Sequence, residues 1–114
     1  MAKELYDSYV EFLIANDRSS DALRVVEVNR AVALAMASGP AAGLALTDKL
    51  TTEPALKAYH LLPAVRGDLL AKLGRFEEAR AEFERAAALT RNARERKLLL
   101  GRAAACGSQL VPAR

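Results

Sequence analysis

Residues 69–86, LLAKLGRFEEARAEFERA, narrow the possible folds of this chain sharply, because small and aromatic side chains fall where two antiparallel helices have to touch. Gly74, Phe76, Ala79, Phe83 and Ala86 recur at helical spacing, and Gly67 stands one heptad before Gly74. A small residue lets a neighbouring helix approach, and an aromatic ring on the facing helix fills the space. The pattern describes a helical hairpin built to stack on others.

The chain has 114 residues, enough for one domain with a core of its own. Its apolar content is 52%, yet aromatics make up 5% and tryptophan is absent, so Ala and Leu supply most of the apolar surface. Closely packed helices use such residues better than sheets do, and the expected fold class is all-α. A lone cysteine, Cys106, forms no internal disulfide and offers no metal-ligand pair, which makes a reducing cytoplasm the expected setting. No run reaches the roughly 18 apolar residues of a membrane span, so no membrane partner is expected.

Helix signals alternate with short breaks, giving about six helices. The first is expected over residues 3–15, with Leu5, Tyr9, Phe12 and Leu13 near one face, followed by a break at Asn16–Ser20. Ser20 or Asp21 can cap a second helix that runs to Ser38, where Gly39 closes it and Pro40 starts the next. The third, over 41–50, packs through Leu44, Leu46 and Leu50. A fourth is expected over 55–73, ending at Gly74, with a kink near Tyr59–Pro63 because Pro63 lacks an amide hydrogen. The fifth begins near Phe76 with Glu77 and Glu78 in its positive first turn. The sixth opens with Asn92 and Glu95 in capping-box spacing and is expected to bury Leu98 and Leu99, with fraying beyond Ala105 where Gly107 and Pro112 follow.

Gly39 and Gly74 each end a long helix and precede a shorter return helix, 35 residues apart. That interval is close to the 34-residue period of the tetratricopeptide repeat (TPR), which the small and aromatic positions of 67–86 also resemble. The first copy is degenerate: Ala31 and Gly43 can serve as its small contact residues, but Thr47 stands where Phe83 stands in the second. The whole of 1–114 is therefore expected to be one short TPR-like stack of hairpins, whose end faces need a cover or a partner.

Little here suggests chemistry. His60 is the only histidine, no glycine-rich loop opens a helix, and a Cys106–His60 dyad would lack any local group to activate the thiol. The chain is expected not to be an enzyme and to hold no cofactor or metal. A net charge of +3 invites a nucleic-acid reading, but residues 91–114 hold six basic groups against Glu95, while the preceding ninety carry 11 basic and 13 acidic. The body is not a basic surface, and the basic tail has no aromatics for stacking on bases, so direct nucleic-acid binding is not expected.

Four blocks, VNRAVALA (28–35), GPAAGLAL (39–46), YHLLPAVRGDLLAKLGR (59–75) and ARERKLLLGR (93–102), resemble in order and spacing the C-terminal extension of a group of bacterial extracytoplasmic-function (ECF) sigma factors of the sigma-70 family. A generic TPR shares Gly74, Ala79, Phe83 and Ala86 but does not require Asn29-Arg30 or Tyr59-His60. The segment before Val25 departs from that pattern, being longer and without a proline ahead of the Asn-Arg helix. The resemblance implies an intact protein that directs RNA polymerase to promoters, in which this chain is a regulatory module contacting the protein's own sigma regions or polymerase. Promoter DNA would be reached only through the intact protein, and homodimerisation through an open end of the stack stays an option.

Asn29, Arg30, Tyr59, His60 and Arg66 stand out as polar or amphipathic residues inside strongly apolar helices. Two readings are open for them. They line a groove for a protein partner, or they bond and pack internally, as buried polar groups usually do. A stand-alone TPR-like scaffold that binds a peptide is the alternative function.

Overall fold

A computed structural model describes residues 22–110, which form five α-helices and one 3-10 turn. The order is α1 (Ala22–Ser38), α2 (Pro40–Leu50), the 3-10 turn (Pro54–Leu56), α3 (Leu61–Lys72), α4 (Phe76–Leu89) and α5 (Ala93–Leu110). The helix expected over 3–15 and the cap at Ser20 or Asp21 lie outside the described residues. Among those described there is no strand. The fold is an all-α, TPR-like stack: α1 and α2 form one hairpin, α3 and α4 a second, and α5 lies along α4. Each helix packs chiefly on its neighbours in chain order, giving an elongated body of 48 × 32 × 28 Å.

The two corners sit where the glycines put them. Gly39 (φ +97°) and Gly74 (φ +78°) alone have positive φ among the described residues. At Gly74 the amide of Arg75 donates to Leu70 O and that of Gly74 to Ala71 O, a Schellman closure that satisfies the last carbonyls of α3. At Gly39 the amide completes a last helical bond to Ala35 O before Pro40 opens α2.

The hairpins close on small residues in two different ways. A Cβ added at Gly43 would stand 2.7 Å from Ala35 Cβ and 2.9 Å from Ala31 O, so α1 and α2 are nearly in backbone contact. In the second hairpin Gly67 receives the Phe83 ring, which would lie 2.8 Å from an added Cβ. Phe83 is fully buried, worth about 2–3 kcal/mol of transfer free energy. Thr47, in Phe83's place in the first copy, is fully buried too and bonds Leu44 O through its hydroxyl at 2.8 Å.

Three expectations are corrected. Residues 55–73 are not one kinked helix: a 3-10 turn ends at Leu56, and α3 starts afresh at Leu61 with His60 as its N-cap. Pro63 therefore lies in the first turn of α3, where an amide hydrogen has no intrahelical partner to lose; in a continuous helix its ring would clash with Tyr59 O. Leu98 is 40% exposed, because it lies about a quarter-turn round from the buried Leu99. Finally, α5 does not fray beyond Ala105. It continues to Leu110, since Cys106 joins the core and Arg80 of α4 lies alongside Gly107.

Candidate functional site

The five singled-out residues separate into two groups. Asn29 and Arg30 lie on the exposed side of α1, where Arg30 Nη1 pairs with Glu27 Oε1 at 3.2 Å, one turn away. Tyr59, His60 and Arg66 belong to a polar seam around α3, largely shielded from solvent. The five do not line one groove.

Two of the seam residues enter with the turn that Pro63 enforces. Tyr59 is 2% exposed; the Arg24 guanidinium lies 4.9 Å from its ring centre, and the His60 ring meets it edge-on at 5.9 Å. His60 Nε2 approaches Glu95 Oε1 to 2.9 Å, close enough to pair charges though off the line that a hydrogen bond needs. Thr90 donates its hydroxyl to the same oxygen at 2.9 Å. Glu95 is placed by the N-cap of α5: its amide donates to Asn92 Oδ1 at 3.0 Å, while the Asn92 amide donates to Thr90 Oγ1. The capping box is thus half formed, with the Glu95 carboxylate turned inward to the seam. Arg96 closes the other side of this junction, donating to Ala87 O and Thr90 O at the end of α4.

Arg66 joins the two hairpins. Its Nε donates to Glu82 Oε2 on α4 at 2.9 Å, and its Nη1 donates to Thr47 Oγ1 at 3.0 Å and to Asp48 Oδ1 on α2. Burial by itself would lower the Arg66 pKa, but the bonds to Asp48 and Glu82 outweigh it and hold the group above its ordinary value. About half a turn further along α3, Asp68 is 1% exposed and accepts from Arg102 of α5 through Oδ1, while Oδ2 has no hydrogen-bond partner. Burial pushes the Asp68 carboxyl up to about 7, against the pull of Arg102 and Lys72. The nearby Cys106 thiol is also pushed up by burial.

The sequence singles out none of Asp68, Glu82 and Arg102, and marks Glu95 only as a capping residue and not as a partner of His60. Glu82 had a signal, since helical spacing sets it beside Phe83 and between Ala79 and Ala86; Asp68 had only its place in the apolar run around it. Arg66 and Asp68 are close in sequence yet take their partners from different helices, which no spacing rule foretells.

Among the described residues no group of three or more His, Cys, Asp or Glu could hold a metal ion, and no helix is long and apolar enough to cross a membrane. The arrangement fastens helices together.

No protein-family model matches the chain, and no solved structure matches it. It is similar to the uncharacterized protein R00370 of Rhizobium meliloti (strain 1021), 46% identical over 71 residues that make up 62% of this chain and 16% of that protein. The chain thus spans about a sixth of the relative's length.

Proposed function

We propose that this chain is a regulatory protein-interaction module of an ECF-type sigma factor, acting in the bacterial cytoplasm on transcription initiation through contacts with protein and not through catalysis or direct DNA binding. One observation carries the reading. The four blocks that resemble such extensions meet one another in space: Gly43 of the second block lies against Ala31 and Ala35 of the first, while His60 and Asp68 of the third pair with Glu95 and Arg102 of the fourth. A generic helical repeat needs none of those polar pairs.

The seam leaves Asn29 and Arg30 as the singled-out residues open to a partner. In run-off transcription by the intact parent protein with RNA polymerase, N29A together with R30A is expected to change promoter output several-fold while the melting temperature of this module stays within about 2 °C, as for surface changes. The first check is the reading frame upstream: a parent lacking promoter-melting and helix-turn-helix regions ends the reading.

The alternative, a free-standing peptide scaffold, has a groove of about 280 Å³ in its favour, floored by Leu46, Leu50 and Leu56 with Arg24, Glu27 and Lys49 at its edge. It requires peptide capture by the isolated chain that is lost on substitution of the Lys49 rim.

A further inference from the structure

We propose that residues 3–15 fold back on the outer face of α1 as a return helix, seating Leu5, Tyr9, Phe12 and Leu13 on the strip formed by Val26, Arg30, Ala33 and Leu34. Gly43 against Ala31 and Phe83 against Gly67 set α1 and α3 in one register, 36 residues apart. The residues turned into the stack agree in that register: Val28 and Ala64 are buried, and so are Val32 and Asp68. Those on the opposite strip do not agree. In α3 Leu62, Leu69 and Leu70 are at most 4% exposed, whereas in α1 their counterparts Val26 and Leu34 are 50% and 37% exposed and Ala33 lies open. Arg66 shows the cause. It stands on the same strip of α3, between Leu62 and Leu70, and bonds Thr47 and Asp48 of α2, the return helix that precedes α3. The last inner helix, α5, also lies on its predecessor, with Arg96 donating to carbonyls at the end of α4. Among the described residues no helix precedes α1.

The segment that enters α1 at Ala22 has the length, the pattern and the charge to supply that cover. Its Leu5, Tyr9, Phe12 and Leu13 recur at helical spacing, so a helix over 3–15 is apolar along one side and needs a surface to bury it. Such a helix is about 20 Å long, against about 25 Å for α1. Residues 16–21 are enough to reverse the chain, since Thr90 to Asn92 suffice between α4 and α5. In α3, Arg66 takes Asp48 from the adjoining helix; its counterpart Arg30 pairs with Glu27 of its own helix and remains 65% exposed. The segment is acidic, carrying Glu4, Asp7, Glu11, Asp17 and Asp21 against Lys3 and Arg18, and so brings Arg30 the charge that α2 brings Arg66. The inference stands apart from the regulatory reading, for which Asn29, off this strip, stays open.

Thiol labelling and nuclear Overhauser contacts in the 114-residue chain test it without any partner protein. Val26→Cys and Leu34→Cys are expected to react at least ten-fold more slowly than Glu77→Cys, which is exposed on α4, with the native Cys106 buried throughout. Adding Tyr9→Asp and Phe12→Asp is expected to abolish that protection. In the wild-type chain, where no variant has to fold, the Tyr9 and Phe12 rings are expected to show Overhauser contacts to the Val26 and Leu34 methyl groups that persist on hundred-fold dilution. Labelling of Val26→Cys as fast as Glu77→Cys overturns the proposal, as does a wild-type chain without those contacts. Protection that survives Tyr9→Asp with Phe12→Asp assigns the strip to another occupant, and protection lost on dilution assigns it to a second copy; either result equally overturns it.

Discussion

Gly67 and Gly101 are both glycines inside helices, yet the same substitution is expected to act on them in opposite directions. An alanine at either site gains about 1 kcal/mol of helix propensity. At Gly101 an added Cβ meets nothing within 4 Å, so that gain stands; at Gly67 it meets three atoms of a fully buried ring, and overpacking of about 1–3 kcal/mol wins. Urea unfolding should therefore rank G101A above wild type and G67A below it. Arg66 gives a second test. Arg66→Met leaves Glu82, 7% exposed, without its principal partner and is expected to cost about 3 kcal/mol; adding Glu82→Leu recovers much of the loss, because the burial of an unpaired carboxylate is then removed. The Gly67–Phe83 fit was readable from spacing alone. The Arg66 cluster was not, since its three partners come from two other helices and spacing reports one helix at a time.

Among the elements, α3 shows how a single residue sets a boundary. Apolar periodicity runs through Leu56, Tyr59 and Leu62 as though one helix continued, and periodicity does not record whether a backbone amide is needed. Pro63 decides the matter by forcing a fresh start at Leu61. Pro63→Ala is accordingly expected to change stability by less than about 1 kcal/mol, where a proline in mid-helix would relieve about 3 kcal/mol on removal; thermal unfolding of the two chains distinguishes these. The start of α5 was legible because Asn92 and Glu95 carry a local capping signal, and its first-turn geometry bears this out in part. Its end was not. Gly107 reads as a stop when only neighbours along the chain are considered, but the burial of Cys106 and the flank of Arg80 keep the helix going to Leu110.

For the molecule as a whole, the buried Asp68 ties stability to pH. Its folded pKa, about 7, lies above the ordinary value of 3.8, so folding favours the protonated carboxyl. That contribution is complete below pH 4 and is lost as pH rises through 7, worth as much as about 4 kcal/mol for a shift of three pH units. The difference in unfolding free energy between wild type and D68N, followed from pH 4 to pH 8, is expected to fall with rising pH; a flat difference would remove Asp68 as its source. The general course of the stack was legible from the two glycine corners and the small-residue crossings, while the polar contacts that fasten it, Arg102 to Asp68 and His60 to Glu95, join residues more than thirty apart in the chain. Because each helix leans chiefly on the ones beside it, the body has no keystone. Amide exchange will advance inward from its tips, and a chain trimmed at one end will be shorter and weaker but still folded, as a ladder survives the loss of its last rung.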